Sequence, residues 1–253
     1  MLMPRVMPCL LLKHGALVKT VKFRDPGYIG DPINAVRIFN EKEVDELIFL
    51  DITATVEERE PPYKVLSEIA SECFMPVTYG GGVQDLETIR RILELGIEKI
   101  AINSRAVEAP NFIQAAAERF GSSTIVVSID ALRKASGRYE VFIHGGRKGT
   151  GLDPIDFARQ VEQMGAGEIL LTAIDRDGTQ EGYDIQLIES VTSAVGVPVV
   201  ACGGAGKVDD FRAAVKDGGA SACAAGSMVV YFGRNRAVLI TFPERRKLES
   251  VLA

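Results

Sequence analysis

The chain has no cysteine pair at metal or redox spacing, no surplus of basic charge and no apolar run long enough to cross a membrane. Each shortage removes a class of function. The four cysteines, Cys9, Cys73, Cys202 and Cys223, form no CxxC motif and no ligand spacing with either of the two histidines. A metal site or disulfide framework is therefore not expected, and the thiols read as reduced, mostly buried strand and helix residues. Lysine and arginine number 29 against 34 aspartates and glutamates, a net charge of −5. No basic patch with interleaved aromatics offsets that balance, which argues against a nucleic-acid partner. Nothing approaches a span of about 20 apolar residues, and the start lacks a leader pattern. No membrane association is expected, and the cytoplasm is the default location. No linker is visible, so residues 1–253 are taken as one large domain.

What the chain does have is a pair of similar stretches, residues 75–104 and 197–227. Each reads as apolar strand, glycine cluster, amphipathic helix, second apolar strand and small polar residue. Aligning Pro76 with Pro198 gives an offset of 122 residues (198 − 76), which superposes Gly81 and Gly82 on Gly203 and Gly204, and Ser104 on Gly226 next to Ser227. A glycine pair closing a buried strand lets the backbone approach a ligand, and the free N–H groups of a following helix favour an anion such as phosphate. Glycines also end strands for steric reasons alone. Two copies at half-chain spacing favour the ligand reading, so a small molecule held by two ends is expected.

Eight apolar strand-like runs are expected at residues 6–12, 47–50, 77–79, 99–102, 124–129, 168–172, 197–201 and 220–225. Helix patterns lie between them at 32–44, 63–73, 86–95, 110–120, 154–164, 185–194 and 208–216, with a terminal segment from about 235. Strands apolar on both faces and alternating with helices indicate parallel βαβ units. Eight units in this length, with half-chain repetition, fit a closed (β/α)8 TIM barrel with half-barrel duplication better than an open sheet. In such a barrel the strand C-termini carry the chemistry. There stand Asp51, Asn103, Asp130, Thr172, Asp175, Asp177, Cys202 and Ser227, with Lys19 in a long first loop, residues 13–30. That loop could close over a phosphorylated ligand or be a basic surface hairpin around Lys22 and Arg24. A second insertion, 131–150, carries a strand pair and could line the rim. By the duplication, Asp130 should have a partner in strand one, and the residue there is Leu11, which cannot exchange protons.

The stretches PCLLLK, YGGGVQDLETIRRIL, INSRAV, IVVSIDA, HGGRKGTGLD, GAGEILLTAIDRDGTQEGYD and ACGGAGKVDDF closely resemble the cyclase subunit of imidazole glycerol phosphate synthase, over nearly the whole chain. The resemblance implies a lyase of histidine biosynthesis that needs no cofactor. Its substrate has two phosphate ends and lies across the barrel mouth. A glutaminase subunit on the opposite face would send ammonia through the barrel. Carried over by position, one phosphate falls to Gly82, Asn103 and Ser104, and the other to Gly178, Gly204, Gly226 and Ser227. Lys19 falls to the mobile loop and Asp130 to catalysis, while Asp51, Thr172 and Asp175 would touch the ligand. The ammonia gate falls to Arg5, Glu46, Lys99 and Glu168, which could equally be a salt-bridge ring sealing the floor. Leu11 replaces one of the two catalytic aspartates of that family. The pattern resembles a diverged second-copy branch found with surface-polysaccharide biosynthesis, where a glutaminase-like protein and a sugar amidotransferase are the expected partners.

Overall fold

A computed structural model describes residues 3–233 and 235–252. Eight parallel strands close into a barrel: Arg5–Lys13, Leu47–Asp51, Val77–Gly80, Lys99–Ile102, Ile125–Arg133, Glu168–Ala173, Val199–Cys202 and Ala222–Ala225. Each pairs with the next. The last pairs with the first through Arg5 and Ala222, while the fifth and sixth join the two halves through Asp130 and Thr172. Every strand is buried on both sides because helices cover the outside and side chains fill the inside, which is why the runs read as continuous rather than alternating. The outer core includes Phe39, Phe49, Tyr79 and Phe211. A separate inner core of Met7, Cys9, Ile48, Ala101, Val126, Leu170, Val200, Cys202, Ala222 and Ala224 fills the barrel itself.

Local chemistry sets the helix ends. Asp31 caps the helix Pro32–Glu41 by accepting the Asn34 N–H at 3.0 Å, and Pro32 supplies a first position with no donor to satisfy. Buried Pro32, Ala35, Val36 and Phe39 then put one face on the sheet. The helix stops at Glu41, short of the expected 44, because Glu43 adopts a φ of +50°. Among the described residues no helix is long and apolar enough to cross a membrane.

The half-chain repeat is visible in the hydrogen bonds. Leu47 N–H donates to Pro76 O and Ile169 N–H to Pro198 O, each at 2.9 Å and each 122 residues from its counterpart (169 − 47, 198 − 76). The N–H of Ile52 reaches Leu12 O at 3.0 Å, and that of Ile174 reaches Ala131 O at 2.9 Å. Leu12 therefore matches Ala131, and Leu11 takes in the first strand the place of Asp130 in the fifth. The sheet register agrees, since Leu11 faces Leu50 as Asp130 faces Thr172.

One open alternative is decided and two expectations need correction. The stretch 13–30 is a β-hairpin, Ala16–Val21 with Arg24–Gly30, which continues the first strand and folds onto the mouth. Lys22 N–H donates to Asp177 O at 2.8 Å and Thr20 Oγ1 to Asp177 Oδ2 at 2.8 Å, so tertiary bonds hold it there. The terminal helix starts at Arg245, not near 235. Residues ahead of it form a short strand pair, Tyr231–Phe232 with Ala237–Val238, because Gly233 and Arg236 both take positive φ. Third, Asp175 does not reach the site, as described next.

Candidate active site

The strand C-termini enclose a cavity of about 840 Å³, within the range of small-molecule sites. Lys19, Asp51, Gly82, Asn103, Ser104, Asp130, Thr172, Gly178, Gly204, Gly226 and Ser227 all line it. Asp175 does not. It sits in the turn after the sixth strand, its charge bears on Tyr139 of the second insertion, and its buried Oδ1 has no partner. Asp177, two residues on in the same turn, lines the cavity instead. The sequence motif IDRDGT displays both carboxylates, and only the turn's dihedral angles decide which faces inward. The second insertion adds His144, Gly145 and Arg147 to the rim.

Asp130 is the chemically distinctive group. It is 8% exposed, between the hydroxyls of Ser128 (3.4 Å) and Thr172. Burial pushes its pKa up to about 7, aided by the nearby Asp177 charge and opposed by the Ser128 and Thr172 hydrogen bonds. A carboxyl that titrates near neutrality can both give and take a proton. Leu11 lines the same cavity at 7% exposure. Asp51 plays a different part: its Oδ1 accepts the Thr53 and Ala54 N–H groups at 3.0 and 2.9 Å, while its buried Oδ2 is unpartnered.

The glycines are needed first for backbone contact. A Cβ on Gly81 would lie 2.4 Å from Asp51 O, and one on Gly203 would lie 2.7 Å from Ala173 O, again a matched pair 122 apart (203 − 81, 173 − 51). Two neighbouring positions separate backbone contact from side-chain contact. Gly204 has a φ of +116° and a Cβ there would meet Gly182 O at 2.2 Å. Gly204→Ala should therefore cost about 2–5 kcal/mol. At Gly226 a Cβ would meet the buried Lys19 side chain, Nζ at 2.4 Å and Cε at 2.6 Å, and the Cys9 carbonyl only at 3.1 Å. Gly226→Ala should cost less than Gly204→Ala in urea, about 1–3 kcal/mol, because a side chain rather than backbone must give; equal destabilisation by both alanines would refute the distinction.

The two ends of the cavity differ. At the first, Gly82 N–H donates to Thr55 Oγ1 at 3.0 Å and Asn103 Nδ2 donates to Ser128 O at 3.0 Å and Phe142 O at 3.3 Å. Ser104 Oγ accepts the His144 N–H at 3.0 Å, with Arg105 also on the cavity wall. At the second end stands Lys19, its side chain 3% exposed and its Nζ 3.8 Å from Asp177 Oδ1.

On the opposite face, at the strand N-termini, Arg5, Glu46, Lys99 and Glu168 form one closed ring. Arg5 bonds both glutamates, and Lys99 Nζ lies 3.1 Å from Glu46 and 2.9 Å from Glu168. Thr78 Oγ1 donates to Glu46 at 2.7 Å. Glu46 and Glu168 are repeat equivalents, 122 apart (168 − 46). Among the described residues no group of three or more histidine, cysteine or acidic side chains could hold a metal ion.

Residues 5–235 match the family model described as histidine biosynthesis protein. The chain is 50% identical over 245 residues to a Pseudomonas aeruginosa protein provisionally named imidazole glycerol phosphate synthase subunit hisF2, covering 97% of this chain and 98% of that one. The chain belongs to the HisF family of imidazole glycerol phosphate synthase subunits. A Leptospira interrogans protein provisionally named as the HisF subunit is 48% identical over 252 residues, 99% of each chain. One from Alkaliphilus metalliredigens named imidazole glycerol phosphate synthase subunit HisF is 46% identical over 231 residues, 91% of this chain and 92% of that one. Membership in the HisF family agrees with the duplicated barrel. The hisF2 naming of the Pseudomonas relative matches the second-copy branch that the sequence resembles.

Proposed function

We propose that the chain is an ammonia-dependent lyase subunit that holds a phosphorylated ligand by two ends across the barrel mouth. A glutaminase partner would dock on the floor face. The observation that carries this reading is a buried Asp130 with a pKa near 7 in a cavity flanked by the two matched glycine ends. In the family-type reaction, ammonia joins a ribonucleotide that is then cyclised and cleaved to imidazole glycerol phosphate and an aminoimidazole carboxamide ribonucleotide. Asp130 would move the protons. Lys19 and the glycine backbones would hold the phosphates, with Asp51 and Thr172 beside the ligand. Ammonia entering from the floor must part the ring of Arg5, Glu46, Lys99 and Glu168 and then cross the apolar interior. Such a subunit would work in the cytoplasm.

Leu11 favours a second reading, in which the barrel conveys ammonia to a sugar amidotransferase of surface-polysaccharide biosynthesis and cyclises nothing. A second proton-transfer group of the kind missing at position 11 typically contributes about 10²–10⁴-fold. Leu11→Asp should raise ammonia-dependent formation of imidazole glycerol phosphate by at least about 10²-fold, read by product chromatography with the ribonucleotide and ammonium as substrates. If wild type and Leu11→Asp are both silent while the pure protein is folded, the cyclase reading is lost and the conveying role stands.

A further inference from the structure

Between the eighth strand and the terminal helix the chain makes a detour whose paired strands are only Tyr231–Phe232 and Ala237–Val238. Its base is tied by Leu239 N–H to Val230 O at 3.0 Å and Thr241 N–H to Val229 O at 2.9 Å. Burial does not account for it, because Phe232, Val238 and Leu239 are 64%, 50% and 52% exposed. What the detour delivers is one side chain. Arg236, with a φ of +50°, sends Nη2 to the carbonyl of Gly178 at 3.2 Å and to Ser227 Oγ at 3.4 Å, and its guanidinium carbon lies 4.6 Å from the Tyr231 ring centroid. Gly178 and Ser227 both line the cavity, while Arg236 itself is half-buried and reaches its edge through these two residues rather than lining it. Among the described residues Arg236 forms no ion pair with a carboxylate, so its charge stands against neutral acceptors.

A second cation converges on the same place. The Lys19 ammonium, 3% exposed, faces Gly226 and has Asp177 at 3.8 Å, beyond hydrogen-bond distance. Lys19 comes from the N-terminal hairpin and Arg236 from near the C-terminus, and together they outnumber Asp177. Holding a buried ammonium beside a half-buried guanidinium is costly unless an anion completes the set. Only one guanidinium nitrogen is occupied by protein. The rest of the fork remains for a ligand, and a planar fork matches phosphate oxygens.

We infer that Arg236 is a phosphomonoester-binding residue at the Gly178, Gly226 and Ser227 end of the cavity. This rests on the proposed two-ended ligand. It adds a member from a segment that none of the motifs above includes.

The test uses the full-length, isotope-labelled chain titrated with inorganic phosphate, following backbone amide resonances at each end separately. In wild type, the amides of Gly178, Gly204 and Gly226 should follow one isotherm and those of Gly82 and Ser104 another. Arg236→Ala should weaken the first isotherm about ten- to a hundredfold and leave the second within about twofold. Arg236→Lys, which keeps the charge and loses the fork, should fall between. An unchanged first isotherm in Arg236→Ala, or equal weakening of both, overturns the inference while leaving the two-ended reading intact. Phosphate bound at neither end of the wild-type protein overturns both. Circular dichroism and melting of each variant separate lost binding from lost folding.

Discussion

In the lyase proposed above, Asp130→Asn will lower ammonia-dependent turnover by about 10²–10⁴-fold, and in either reading it will make the folded protein more stable above pH 7. Both effects come from one carboxyl. Its burial raises the pKa to about 7, with the Asp177 charge adding to the shift and the Ser128 and Thr172 hydrogen bonds reducing it. Between the ordinary aspartate value near 4 and about 7, the native state keeps a proton that the unfolded chain has lost. Stability therefore falls as pH rises through that window and levels off above it. Asparagine cannot ionise and escapes the loss. Allowing for the desolvation of its own amide, the gain at pH 8 should be about 2 kcal/mol, a rise in melting temperature of roughly 4–8 °C for a chain of this size. At pH 5 most of that gain should be gone. Equal gains at pH 5 and pH 8 would show that Asp130 does not titrate near neutrality. Turnover within tenfold of wild type would remove it from catalysis.

Lys99→Ala combined with Arg5→Ala will destabilise the protein by about 3–5 kcal/mol. Glu46 and Glu168, with side chains 4% and 8% exposed, each bond both cations of the floor ring. Removing one cation leaves each glutamate a partner. Removing both leaves two charges in a poorly hydrated floor. The single changes should cost less, Arg5→Ala least, because its side chain is 33% exposed and solvent already screens it. Urea unfolding of the two singles and the double measures this coupling, and additive small losses would refute it. The same variants also separate a gate from a seal. In the complex with a glutaminase, a gate predicts that Arg5→Ala changes product formed from glutamine relative to product formed from added ammonium. A proportional change in both outputs leaves the ring with a structural role.

Much of this was legible in the chain because it depends on local pattern and on repetition. Apolar runs of 3–7 residues alternating with amphipathic helix patterns appear as the eight strands, 4–9 residues long, and their covering helices. The 122-residue offset read from Pro76 and Pro198 reappears as matched hydrogen bonds. Leu11 stands where the duplicated register requires a counterpart of Asp130. The floor ring was readable for a related reason: strand N-termini must gather on one face once the barrel closes.

Other features were set by contacts between segments far apart in sequence. The stretch 13–30 reads equally as a closing loop or a surface hairpin, and the Asp177 backbone and carboxylate decide for a hairpin held over the mouth. Asp175 and Asp177 are equivalent in composition, and a two-residue difference in one turn sends only the second into the cavity. The residues before the terminal helix carry no strand periodicity, and Arg236 reaches Gly178 across 58 positions of sequence.

By itself the sequence determined the closed duplicated barrel and the leucine at the register position that matches Asp130, because periodicity and repetition are properties of neighbouring residues and of register. Only the tertiary structure decided which charges enter the cavity and how far burial raises Asp130, because those depend on turn geometry and on the solvent excluded by distant segments.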